Sequence, residues 1–89
     1  MKEIKLDSRD LVVHIEEENL DNMELLDAIA AVDDGDPFAM SRLCNHLLGK
    51  KEKKALYDAL RDEKGRVPTA SVGSAVREIF EKLGETGKN

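Results

Sequence analysis

Residues 21–48, DNMELLDAIAAVDDGDPFAMSRLCNHLL, read as two short helices joined by a tight acidic corner. Asp21 stands where an N-cap belongs and Glu24 follows three positions later, an Asp-headed version of the capping box. The first helix is therefore expected from about Asn22 to Val32. Met23, Leu26 and Ala30 form one apolar row along it, and Leu25, Ile29 and Val32 the adjacent row, a broad stripe of helical period. The corner is Asp33-Asp34-Gly35-Asp36-Pro37. Gly35 takes the left-handed conformation that closes a helix. Asp36 caps the next one, and Pro37 fills its first position, where no backbone donor is needed. The second helix carries Phe38, Met40, Leu43, Leu47 and Leu48, and Gly49 ends it.

Upstream, the pattern changes. Ile4 and Leu6 alternate with Glu3, Lys5 and Asp7, residues 7–10 are turn-like, and Leu11-Val12-Val13-His14-Ile15 is rich in β-branched residues. Residues 3–16 are thus extended and suit a small β-hairpin, which must lean on the helices or on another subunit because two strands alone are marginal. Downstream, a third helix is expected from about Lys51 to Lys64, with Ala55, Leu56, Ala59 and Leu60 as its apolar stripe and Gly65 as its stop. After the turn Arg66-Val67-Pro68-Thr69, a fourth helix places Val72, Ala75, Val76, Ile79, Phe80 and Leu83 on one face, and Gly84 ends it. Residues 85–89 are a polar tail. The expected fold is mainly α, a single small bundle of about four short helices: 3–16 extended, 21–84 the helical core. Leu25, Leu26, Ile29, Phe38, Leu43, Leu47, Leu56, Leu60, Val76, Ile79 and Phe80 are its expected buried residues.

A chain of 89 residues suits one domain that buries roughly 60–65% of its unfolded surface. With aromatics at 3%, aliphatic side chains must build the core. No stretch approaches the roughly 20 apolar residues of a membrane span. Met1-Lys2-Glu3-Ile4 lacks the apolar run of a secretion signal, and one cysteine allows no internal disulfide, so a cytosolic location is the default. The net charge of −5 argues against binding nucleic acid by phosphate neutralisation.

Candidate sites are few. Asp33, Asp34 and Asp36 surround a glycine, but the twelfth residue from Asp34 is Asn45 and Pro37 intrudes, so capping and turn formation replace a calcium loop. Cys44 and His46, two apart on a helix, face different directions, and His14 is the only other histidine, so no metal site is expected. Cys44 is expected in the core and His46 at the surface. Lys50, Lys51, Lys53 and Lys54 crowd the start of the third helix against its dipole; they form either a solvated face or a docking patch for an acidic partner. Ala70, Gly73 and Ser74 make one side of the last helix small, which permits close backbone approach. No phosphate loop, activated nucleophile or convergent acid pair is present, so neither catalysis nor a cofactor is expected.

The run Met23-Glu24-Leu25-Leu26-Asp27-Ala28-Ile29-Ala30, the corner from Asp33 to Met40, and Leu60-Arg61-Asp62-Glu63-Lys64-Gly65-Arg66-Val67-Pro68 before a helix with Glu78-Ile79-Phe80 resemble the tail assembly chaperones of long-tailed bacteriophages and prophages. The likeness covers about residues 11–84, and its motifs are structural. It implies a non-catalytic chaperone that coats the tape-measure protein in the cytoplasm of the bacterial host, keeps its apolar helices soluble until tail-tube subunits polymerise, self-associates, and is absent from the mature virion. It also implies a longer product made by ribosomal frameshifting, through which the tail-tube protein is met. Gly87-Lys88-Asn89 is compatible with a slippery run of codons at that place.

For such a client, the expected groove lies along the second and third helices, with Met40, Leu47, Leu48 and Tyr57 at its lip. Met40 and Leu48 would equally complete the core. Self-association would join Lys50, Lys51, Lys53 and Lys54 of one copy to acids of the next. The alternative is a small helical DNA-binding transcriptional regulator, with Lys50–Lys54 and Arg61 as phosphate contacts.

Overall fold

Alternation decides the N-terminal strands. In a computed structural model that describes residues 1–86, β1 (Lys2–Leu6) and β2 (Leu11–Ile15) pair antiparallel, with Ile4 opposite Val13 and Leu6 opposite Leu11. Ile4, Leu6, Val13 and Ile15 share the buried face, as a period of two requires. The hairpin leans on helices, β2 on α2 (Ala39–Leu60) and β1 on α3 (Thr69–Thr86). Its turn is gripped from α3. The Asp7 amide and the Ser8 hydroxyl each donate to the Glu78 carboxylate at 2.7 Å, and the Lys82 ammonium meets Asp7 Oδ2 at 2.7 Å. The outer edge of β2 is gripped from α2, where the His14 amide donates to Glu52 Oε1 at 2.7 Å.

A short 3-10 turn (Glu17–Leu20) leads into α1 (Met23–Asp33). The cap falls one residue later than expected: Asn22, not Asp21, accepts the Glu24 amide on its side chain. The corner closes α1 as its chemistry demands. Gly35 has φ +89°, its amide donates to the Val32 carbonyl, and the Asp36 amide donates to the Ala31 carbonyl, the paired bonds of a Schellman ending. Asp36 then accepts the Phe38 amide at 2.9 Å, and α2 begins at Ala39, so Pro37 stands in the turn before the helix and not at its expected first position.

The second and third of the four expected helices meet at Gly49, whose backbone is non-helical as the expected break requires, and run together as one kinked element, α2, so that three helical elements stand in all. That element ends at Leu60, not Lys64. Asp62 stops it: its carboxylate accepts the amides of Lys64 and Arg66 at 2.9 Å each, while its own amide donates to the Arg66 carbonyl. A side chain that captures nearby amides competes with the helix for them. Gly84 does not end α3, which continues to Thr86; an interior glycine weakens a helix without breaking it. Residues 87–89, where the frameshift expectation falls, lie outside the described residues, and the expected tail from residue 85 begins inside α3.

The core joins the hairpin face to Leu25 and Ala28 of α1, to Leu43, Cys44, Leu47, Leu48, Leu56 and Leu60 of α2, and to Val72, Ala75, Val76 and Ile79 of α3. Two expected members are absent. Leu26 is 51% exposed and Phe38 75%. The hairpin's apolar face supplies what they were expected to supply, and α1 turns Leu25 and Ala28 inward instead. Ile29 and Phe80 are half-buried at the margin of the core. No described helix is long and apolar enough to cross a membrane.

Leu56→Ala, at a fully buried position, should cost about 2–5 kcal/mol, whereas Leu26→Ala should cost less than about 1 kcal/mol. Denaturant titration of the two variants checks the difference. The hairpin clamp adds a pH dependence. The Ser8 hydroxyl, together with the amides of Asp7 and Ser8, holds the Glu78 carboxyl below its ordinary range, and Lys82 does the same for Asp7. A lowered folded value means the ionised form stabilises the fold. That contribution is complete at neutral pH and is lost as pH falls from about 4.3 through the lowered value. The stability difference between the native chain and Glu78→Gln should therefore be largest at pH 7 and close on acidification.

Candidate functional site

An open apolar groove of about 850 Å3 lies between α1 and α3, within the usual range of roughly 300–1,000 Å3 for ligand clefts. It exists because α1 makes its substantial helix contact with α2, not with α3. Met40 and Leu43 of α2 form the floor. Leu26, Ile29, Ala30 and Val32 form one wall, so members of both apolar rows of α1 face an open groove, Leu26 and Ile29 of the expected core among them. Val76 and Phe80 form the other wall beside Ala70, Gly73 and Ser74. The small side of α3 noted in the sequence therefore lies along the groove, and a Cβ added at Gly73 would meet no heavy atom within 4 Å.

The residues expected at a groove lip divide. Leu47 and Leu48 are 0% and 5% exposed and belong to the core, because the hairpin covers their side of α2. Met40 is half-buried and belongs to the groove. Met40 and Tyr57 also meet at a smaller hollow of about 240 Å3 with Pro37, Val67 and Val72. Cys44 is buried, as expected, and burial pushes its thiol up, so it stays protonated at neutral pH. His46 is half-buried. Among the described residues, no three His, Cys, Asp or Glu side chains are grouped as a metal-ligand set.

The four lysines, all just beyond the bend in α2, divide between partners within the chain and open surface. Gly49 has φ +78° and ψ +169°, a combination reserved for glycine. The bend interrupts the helical ladder, and the Asn19 side chain donates from Nδ2 to the Leu47 carbonyl at 3.0 Å. Lys53 reaches back across it, donating to Ser41 Oγ and Asn45 Oδ1 at 3.3 and 3.1 Å, with its ammonium 5.4 Å from the Tyr57 ring centre. Lys54 pairs with Asp58 at 2.9 Å, and Arg61 donates to Asp58 and to the Gly65 carbonyl. Lys50 and Lys51 remain exposed beside a shallow hollow between the bend and β2. The basic residues proposed as phosphate contacts are thus partly engaged within the chain. The acidic corner keeps its structural part: the Phe38 amide first, then Arg42, holds the Asp36 carboxyl below its ordinary range.

The sequence contained the groove's signal in two pieces: an apolar row on α1 wider than one packing face needs, and a run of small residues on α3. Their juxtaposition needed the third dimension. No protein family, curated protein or solved structure matches the chain.

Gly49→Ala forces a side chain into a backbone region costing about 1–3 kcal/mol. It should lower the denaturation midpoint accordingly, although a Cβ at Gly49 meets nothing within 4 Å. Thermal and denaturant unfolding check it.

Proposed function

We propose that this chain is a tail assembly chaperone, a non-catalytic binding module that holds an apolar helix of a tape-measure protein in the groove between α1 and α3. The observation that supports it most is the groove itself: a long apolar concavity flanked by two helices that do not close on each other, with an apolar row of α1 left facing it. A helix needs a trough whose walls let its backbone come close, and Ala70, Gly73 and Ser74 supply one such wall. Met40 on the floor adapts to clients of varied sequence. The groove therefore shifts from the expected position along the second and third helices to the space between α1 and α3, with Met40 common to both.

On this reading the protein works in the cytoplasm of the bacterial host and is not retained in the mature virion. Many copies shield one long client, since each groove covers only a short helical segment. Self-association and a longer frameshifted product that meets the tail-tube protein complete the proposal. Exposed Lys50 and Lys51 offer cations for contacts between copies, and such contacts weaken with salt.

Gly73→Trp places an indole in the groove. It should leave the fold intact and abolish co-purification and solubilisation of co-expressed tape-measure fragments. Gly73→Ala, which removes an interior helix glycine, should raise stability by up to about 1 kcal/mol and preserve client binding. Pull-down and thermal unfolding of both variants check this. Undiminished client binding by Gly73→Trp would move the site elsewhere.

A further inference from the structure

The groove is apolar inside, and α1, the helix along one side of it, carries charge of one sign. From Arg9 to Arg42 the chain has no intervening Lys or Arg, while acidic residues recur throughout. All of α1 falls in that interval. Asp33 lines the groove, and Glu24 and Asp27 stand exposed on the same helix. The α3 wall adds Glu81, and Arg77 is the one cation lining the groove among the described residues. None of these carboxylates takes part in an ion pair among the described residues.

We infer that the groove takes an amphipathic helix whose apolar face is flanked by Lys or Arg on the side that meets α1. The inference rests on the groove being the client site, and it adds the charge class of the client. An apolar face alone would satisfy Leu26, Ile29 and Val32, but a neutral or acidic flank would leave Asp33, and the acidic helix α1 behind it, without a cation. Carboxylates beside a surface that loses water on binding interact more strongly than they do in bulk solvent, so a basic flank is favoured and an acidic one rejected. Discrimination comes from the rim, and affinity from the floor and walls.

The test uses three helix-constrained synthetic peptides with one common apolar face and flanks of Lys, Gln or Glu, labelled for fluorescence anisotropy against the full chain. Two or three rim pairs correspond to about tenfold in Kd, so the Lys peptide should bind about tenfold tighter than the Gln peptide, with the Glu peptide weakest. The spread should narrow between about 0.05 M and about 0.5 M salt, and a D27K/D33K variant should reverse the order. Asp33 ends α1, where a cation suits the helix dipole, so that variant keeps its fold. Equal binding of the three peptides, abolished by Gly73→Trp, overturns the charge inference and leaves the groove in place. Binding of the Lys peptide that survives Gly73→Trp is adsorption outside the groove and also overturns the inference. Binding of none of them overturns the inference and the groove reading together.

Discussion

The bend at Gly49 is the constraint on which the rest of the molecule depends. Before it, α2 contributes Leu43, Cys44, Leu47 and Leu48 to the core; after it, Leu56 and Leu60. A straight helix would carry the second set away along its axis. Bent, α2 presents both sets to one interior and touches the 3-10 turn, the hairpin, α1 and α3 in turn. The surroundings hold the bend from several sides. Asn19 takes the Leu47 carbonyl, Lys53 spans the break to Ser41 and Asn45, and Glu52 fixes the edge of β2 through the His14 amide. A conformation available only to glycine is thus matched by side chains drawn from the segments on either side of it.

How much of this was legible depended on whether the deciding chemistry was local. The corner could be read because Gly35, Asp36 and Pro37 act on amides and carbonyls within a few residues of themselves. The strands could be read from alternation. The end of α2 could not, because Asp62 diverts the amides of Lys64 and Arg66, and a carboxylate in that position reads equally well as part of a charged helical face. Gly49 was legible as a break but not as a bend within one element. Leu26 and Phe38 were misplaced for a different reason. Periodicity shows that a helix has an apolar stripe, but not how much of it the chain's own core will cover. With Ile4, Leu6, Val13 and Ile15 of the hairpin in the interior, Leu25 stays inside and Leu26 of the neighbouring row is left outside, beside the groove.

That surplus connects fold to function. The apolar row of α1 and the small side of α3 are each unremarkable alone, but together they bound a space the monomer does not fill. α1 packs chiefly on α2 and is also one wall of the groove, so that wall and the floor on α2 are joined by a single helix–helix contact.

The grip of α3 on the hairpin turn joins residues far apart along the chain: Glu78 and Lys82 hold Asp7 and Ser8 across separations of 70 to 75 residues. During synthesis the strands are made first and their anchor nearly last. A nascent chain can form α1 and the corner from local signals and can rest β2 on α2, but the grip on the hairpin turn is missing until α3 has left the ribosome. Closure of the core is therefore a late event, and a chain terminated before Glu78 would expose the apolar face of both strands. The order of manufacture, from the marginal element to the one that steadies it, makes intact translation through α3 the condition for a folded product.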